Sequence, residues 1–275
     1  MEKPRPPRRP ILLSGSVLAA LISAVMAAGP AEAARLPAPR VVTATGFDAC
    51  SAPSAAAMQT WYRTSSYRAV GIYIGGHDRA CPSGNLTASW VRAVSAQGWS
   101  LIPVYVGSQA PCASQKNMAK MQPAQAARQG TSEAQDAADQ AQAYGLAQGS
   151  PVYFDLEAFK QTDQGCVGTV RTYLNAWTRE LHARGFYSGV YGSAASGMAT
   201  LAEARNTSSF TEPDAIWIAR WDRQARTADD SVPASMWSGR QRIKQYLGGH
   251  VEKHGGVAIN IDSDYLDGPV ARLRG

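Results

Sequence analysis

Residues 151–157 read Pro151-Val152-Tyr153-Phe154-Asp155-Leu156-Glu157, and the alternation in this stretch decides the fold. Side chains of an extended strand point to opposite faces in turn, so Val152, Phe154 and Leu156 share one face while Tyr153, Asp155 and Glu157 share the other. An aliphatic face suits a surrounding layer of helices. A polar face ending in two acids suits the interior of a barrel, at the carboxyl end of a strand where barrel enzymes carry their chemistry.

Working outward, short aliphatic runs alternate with helical patterns. Strands are expected at 42–48, 69–75, 101–106, 151–159 and 186–192, with helices at 54–65, 87–97, 131–147, 167–184 and 197–205. Such alternation implies βαβ units and a parallel sheet. The Gln-rich stretch 108–130 has no periodicity and reads as a solvated surface loop, a lid over the third strand being the alternative. The rhythm breaks at the carboxyl end, where 215–221, 243–247 and 257–262 read as strands. Only nine residues, 248–256, separate the last two, and a helical crossover needs a dozen or more. The expected fold is α/β, a TIM-like barrel of five βα units followed by three strands with little intervening helix.

The chain has 275 residues, 45% hydrophobic and 17% charged, which is enough apolar material for a sizeable core and excludes a disordered chain. Its formal charge of +6 comes partly from the amino terminus, where Lys3, Arg5, Arg8 and Arg9 face only Glu2 and Glu32. The remaining 242 residues carry 23 basic and 19 acidic groups without a Lys/Arg cluster, so nucleic acid is not an expected partner. The first nine residues form a basic region, 11–28 an apolar one, and Ala31-Glu32-Ala33 a small-x-small cleavage site. Arg8-Arg9 fits a twin-arginine export signal; an ordinary secretory signal and an uncleaved anchor are the alternatives. The expected organisation is a signal peptide at 1–33, a short linker at 34–40 and one barrel domain at 41–275. The mature protein is expected to be secreted or wall-associated, meeting the membrane only during export.

Export makes Cys50, Cys81, Cys112 and Cys166 candidates for two disulfides. Spacing alone leaves all three pairings open. All four follow the first four strands, on one rim, and bridges between neighbouring loops would join Cys50 to Cys81 and Cys112 to Cys166.

Parity selects the candidate site. It places Gly46 and Asp48 inward from the first strand, Gly71, Tyr73 and Gly75 from the second, and Pro103, Tyr105 and Gly107 from the third. From the last it places Asn260 and Asp262 inward. Four acids then converge: Asp48, Asp155, Glu157 and Asp262. Each also has a purely structural use, such as Asp48 capping the helix near Ser54, or Asp262 pairing with Arg220 or Lys244. Four carboxylates would also suit a divalent cation, but no metal or other cofactor is expected. The four histidines, His77, His182, His250 and His254, form no zinc pattern. No P-loop, Gly-x-Gly-x-x-Gly or Gly-x-Ser-x-Gly frame exists, so no nucleotide is expected.

The chain resembles the glycoside-hydrolase-like domain-of-unknown-function family of exported actinobacterial proteins, itself similar to the family 25 lysozymes. The resemblance is carried by Gly46-Phe47-Asp48-Ala49-Cys50, Val70-Gly71-Ile72-Tyr73-Ile74-Gly75-Gly76, the 152–157 stretch and Gly189-Val190-Tyr191-Gly192. It continues through Ile216-Trp217-Ile218-Ala219-Arg220-Trp221-Asp222, Gln245-Tyr246 and Asn260-Ile261-Asp262. It implies five βα units and three terminal strands. It also implies Glu157 as general acid, supported by Asp155, Asp48 and Asp262, with Gln245 and Trp217 in the substrate cleft.

Glycosidic bond cleavage needs a proton for the leaving oxygen and a counter-charge for the oxocarbenium centre. Repulsion between neighbouring acids is expected to keep Glu157 protonated while Asp155 stays ionised. Both project from one strand and so approach a sugar from one side. Either Asp48 or Asp262 acts from across the barrel, or a 2-acetamido group of the substrate takes part, oriented by Asp155. Tyr73, Tyr105, Tyr191, Trp217 and Trp221 are candidate stacking surfaces. The expected function is action on a cell-envelope glycan of N-acetylated sugars; the alternative is a non-catalytic glycan-binding or envelope-structuring protein that retains the pocket.

Overall fold

Eight strands close into a barrel in chain order in the computed structural model, which describes residues 1–5, 36–205, 207 and 209–274. They are β1 (Arg40–Asp48), β2 (Tyr67–Gly75), β3 (Ser100–Tyr105), β4 (Pro151–Leu156), β5 (Tyr187–Ser193), β6 (Ala215–Ala219), β7 (Arg242–His254) and β8 (Val257–Val270). The barrel lies within the unit Leu36–Gly275. The twin-arginine pair, the apolar region and the cleavage site fall outside the described residues.

Each of the first five strands is followed by a helix: α1 (Ala55–Thr64), α2 (Ala88–Ala96), α3 (Ala126–Ala143), α4 (Gln164–Ala183) and α5 (Ala199–Ala204). Capping fixes where several start. The Ser54 hydroxyl accepts from Ala57 N, Thr87 from Trp90 N, and Asp163 from Cys166 N, each satisfying an amide without an intrahelical partner. Ser54 thus caps α1 itself, leaving Asp48 free for the interior. The helices bury one face against the outside of the sheet, where Trp61, Trp90 and Trp177 join Phe47, Ile72, Phe154 and Val190 in one apolar cluster. A second cluster fills the lower interior: Ala69, Ile102, Val104, Tyr153, Ala215, Trp217, Ile243, Leu266 and Val270.

The carboxyl-terminal strands differ from the reading by sequence. β7 runs to His254 and turns at Gly255-Gly256 (φ +57° and +87°), left-handed conformations that suit a two-residue hairpin and that glycine adopts without strain. β8 is antiparallel to both β7 and β1, and it continues to Val270 rather than ending at Asp262. Asp262 therefore sits within the strand, opposite Asp48, and reaches the rim because β8 runs downward from it. No helix lies between β6 and β8 among the described residues. Segment 220–241 covers that side instead, held by ion pairs of Lys244 Nζ with Asp222 Oδ2 (2.6 Å) and Asp229 Oδ2 (3.3 Å), and of Arg220 Nε with Asp229 Oδ2 (3.2 Å). Neither basic group pairs with Asp262.

Parity fails on β3. Ile102 and Val104 face the interior, while the Tyr105 ring packs on Trp177 of α4 and its hydroxyl donates to Asp136 of α3. Tyr105 therefore belongs to the helical layer and not to the site. Every residue of β3 is buried, so no polar alternation marks its inner face. Gly75 also turns outward, beside Tyr105 and Gln140, after an irregularity in the β2–β3 register between Tyr73 and Gly75.

Candidate functional site

Above the apolar layer the interior turns polar. Asp48, at the end of β1, accepts from the Tyr73 hydroxyl (3.0 Å) and from Gln245 Nε2 (2.8 Å). The Gln245 carbonyl oxygen accepts in turn from Tyr191 (3.0 Å) and from Trp221 Nε1 (2.9 Å). Strands β1, β2, β5 and β7 and the start of segment 220–241 are thereby joined through Gln245 and Asp48. Trp217 lies beneath, almost fully buried between Tyr153 and Tyr191, and donates to Asp264 Oδ1 (2.9 Å). It forms the floor of the site rather than an open stacking surface.

Asp264 was not singled out by sequence. It is completely buried and shares the inner face of β8 with Asp262. Continuing the parity by one step past Asp262 would have found it.

Burial governs the charge of these acids. Asp48 is pushed up to about 7 by desolvation and by the charge of Asp262, against the hydrogen bonds from Gln245 and Tyr73. Asp264 is raised well above the usual carboxylate range by burial and by Asp48. Asp155 is likewise raised well above it by burial, then by Glu157 and Asp48. Glu157 is raised by burial, opposed by a backbone hydrogen bond from Ala158, and Asp262 is raised by burial, opposed by His250 and a backbone hydrogen bond from Gly249. Of the expected division, with Glu157 protonated and Asp155 ionised, the upward shift of Glu157 is met, whereas Asp155 is raised too, and further, because depth outweighs mutual repulsion and the deeper acid is Asp155. The Asp155 Oδ1 is buried and accepts no hydrogen bond from the described residues.

Glu157 stands between two concavities. One, of about 130 Å³, lies beside the Cys50–Cys81 bridge and is lined by Tyr73, Arg79, Val106, Met118 and Asp155. The other, of about 300 Å³, is a more open cleft walled by Tyr191, Ser193, Ala219 and Trp221. Trp221 is 65% exposed yet fixed, its N–H held by Gln245 and one ring face against the backbone of Gly248. A Cβ at Gly248 would lie 2.4 Å from the ring, so only glycine allows this approach. A larger concavity of about 480 Å³ opens at the opposite end of the barrel between Arg40, Trp99, Leu101 and Arg272, with no acid in its lining.

Both expected disulfides are present, Cys50–Cys81 and Cys112–Cys166, with Cα separations of 5.6 and 5.9 Å. Segment 108–130 is not a solvated loop at its start: Ser108, Gln109 and Ala110 are buried. Gln109, which sequence gave no reason to choose, bonds the backbone of both Asp155 and Glu157. Among the described residues no group of three or more His, Cys, Asp and Glu side chains is arranged to hold a metal ion.

A family model described as "Rv2525c-like, glycoside hydrolase-like domain" matches residues 59–266, most of the chain but not β1 and Asp48. No curated protein matches the chain. Among solved structures, the Mycobacterium tuberculosis Tat-secreted protein Rv2525c, in complex with L-tartrate, is similar with a TM-score of 0.56 and 15% identity over 81% of this chain and 95% of that one. An uncharacterized B. stearothermophilus protein gives 0.54 and 16%, over 81% and 95%. The Clostridium perfringens spore cortex lytic enzyme SleM gives 0.52 and 12%, over 82% and 67%. At these identities the likeness is one of fold.

Proposed function

The chain belongs to the Rv2525c-like, glycoside hydrolase-like domain family, and from that premise we propose that it is an exported protein whose barrel mouth cleaves a cell-envelope glycan of N-acetylated sugars, with Glu157 as general acid. The observation that carries the reading is the position of Glu157 on the wall between two concavities. A glycosidic oxygen above it would have one sugar on either side. Burial raises the pKa of Glu157, which favours the protonated form that a general acid needs.

The small pocket suits the sugar on the cleaved side. Asp155 Oδ1 offers a buried acceptor for an acetamido N–H, Arg79 a donor for its carbonyl, and Val106 and Met118 an apolar wall for its methyl. The acetamido oxygen then attacks the anomeric carbon as the glycosidic C–O bond breaks and the Glu157 proton passes to the leaving oxygen. Water opens the resulting ring and returns a proton to Glu157. This course fits acids set on one side of the sugar. In the open cleft, Trp221 presents a fixed aromatic face to the departing sugar.

The two disulfides are compatible with an oxidising compartment. A signal at 1–33, a linker at 34–40 and one domain at 41–275 complete the reading, with wall polysaccharide as partner. SleM, described as a spore cortex lytic enzyme, lends it analogy of fold.

A second reading, glycan binding without turnover, is favoured by the depth of Asp48, Asp155 and Asp264, where burial shifts each carboxyl toward its neutral form and away from the anion that would stabilise a cation. Release of reducing sugar from purified wall glycan by the mature chain, beside Glu157→Gln and Asp155→Asn, separates the two. Turnover lost in the variants with binding retained supports the hydrolase. Binding by all three proteins without turnover on several glycans refutes it.

A further inference from the structure

Strand β3 stops short of the acids it should support. It pairs with β4 at Val104–Tyr153 and Tyr105–Phe154, whereas β5 accompanies β4 through Leu156 on the other side. The edge that presents the Asp155 carbonyl and the Glu157 amide has no strand of the ladder beside it. The Gln109 side chain takes that place: Nε2 donates to the Asp155 carbonyl (2.8 Å) and Oε1 accepts from the Glu157 amide (2.8 Å). In a parallel ladder, one peptide-bearing residue makes this same pair of bonds to the residues flanking its partner. The Gln109 carboxamide thus imitates a strand residue opposite Leu156.

The imitation is held in place. Gln109 is fully buried, and its second Nε2 hydrogen goes to the Gly107 carbonyl (3.0 Å). Its own amide donates to Ala119 O and its carbonyl accepts from Met121 N, both at 2.8 Å. The preceding Ser108 donates through N (2.9 Å) and Oγ (2.7 Å) to Glu133 of α3, which also accepts from Tyr173 of α4. Three residues further on, Cys112 is bridged to Cys166 at the start of α4.

We propose that Gln109 is a positioning residue, fixing the backbone on which Asp155 and Glu157 are mounted and so the aim of both carboxyl groups. The inference rests on Glu157 as proton donor. Displacing a reacting group by about 1 Å costs on the order of 100-fold in rate, and an unpaired strand end has that freedom.

Two variants test it. Gln109→Met keeps length and approximate volume but makes neither bond. Gln109→Glu makes both only in its acid form, donating its O–H to the Asp155 carbonyl and accepting from the Glu157 amide. The readouts are hydrogen exchange at the Glu157 amide by NMR, and kcat and KM on soluble wall oligosaccharide. For Gln109→Met the expected result is Glu157 amide exchange faster by about tenfold or more and kcat lower by about 100-fold, with KM within about threefold. For Gln109→Glu, amide protection and kcat relative to wild type recover as pH falls. Wild-type kcat in Gln109→Met, loss of kcat with unchanged exchange at Glu157, or no recovery in Gln109→Glu at low pH overturns the proposal. If Gln109→Met does not fold, the pH recovery of Gln109→Glu decides. Should the wild type turn over no glycan, the function reading falls by itself and exchange together with oligosaccharide affinity decides on Gln109: a deprotected Glu157 amide with weakened binding supports it, and unchanged values overturn it.

Discussion

Around β1 to β5 the outside of the barrel is sealed by helices through apolar contacts, typified by Trp177 of α4 against Phe154 and Tyr105. Around β6 and β7 it is sealed by a segment without helix, drawn down by Lys244, Asp222, Asp229 and Arg220. The two sides supply different parts of the site. The helical side mounts the acids Asp155 and Glu157 on a rigid strand, and the ionic side delivers Trp221, one residue from Asp222. An inner face can thus continue unbroken around a barrel while its outer cover adds buried charge to apolar packing such as that of Val232 and Trp237, and each buried charge must keep a partner.

The largest effect should come from the helical cover. Trp177→Ala is expected to lose about 4 kcal/mol of unfolding free energy in a denaturant titration, because the indole is completely buried and its cavity cannot collapse between two elements. Lys244→Met should cost about 2 kcal/mol, since buried Asp229 would lose one of its two cationic partners and keep only Arg220. If the cover is ionic in origin, Lys244→Met combined with Asp229→Leu recovers much of that loss; a double variant no better than the single one would make the cover apolar after all.

Opposite pH responses sharpen the contrast. Burial raises the Asp229 and Asp222 carboxyls, but Asp229 is brought below its ordinary range by hydrogen bonds from the Ser231 side chain and amide, with Arg220 and Lys244. Asp222 is brought below it by hydrogen bonds from Lys244 and the Gln224 amide, with the charges of Lys244 and Arg220. Their contribution is present above the unfolded pKa near 4 and is lost as pH falls through the folded value. Asp48 is raised to about 7, so its contribution is complete below about 4 and is lost as pH rises through 7. Thermal unfolding should show a Tm several degrees lower at pH 8 than at pH 5, and Asp48→Asn should reduce that difference; an unchanged difference would remove Asp48 as its source. The smallest effect on stability is expected for Trp221→Ala, within about 0.5 kcal/mol because the ring is mostly exposed, yet oligosaccharide affinity should fall about tenfold by titration calorimetry.

The same contrast explains what sequence made legible. On β4 the two faces differ in polarity, so alternation placed Tyr153, Asp155 and Glu157 inward and the site followed. On β3 both faces are buried in apolar surroundings, alternation carries no information, and the lone hydroxyl of Tyr105 pointed the wrong way, toward Asp136. Asp264 escaped because the last strand was ended at Asp262, where its hydrophobic pattern weakens. Gln109 escaped because a side chain imitating a backbone leaves no periodic trace. The order of pKa between Asp155 and Glu157 depends on depth below the rim, which spacing along one strand does not encode.

The most direct test of the account is a crystal structure of Glu157→Gln with an N-acetylated wall oligosaccharide. The expected result places a glycosidic oxygen within hydrogen-bonding distance of residue 157, an acetamido group against Asp155 and Arg79, and the next sugar on Trp221. An oligosaccharide seated instead between Arg40, Trp99 and Arg272 at the other end of the barrel would contradict it.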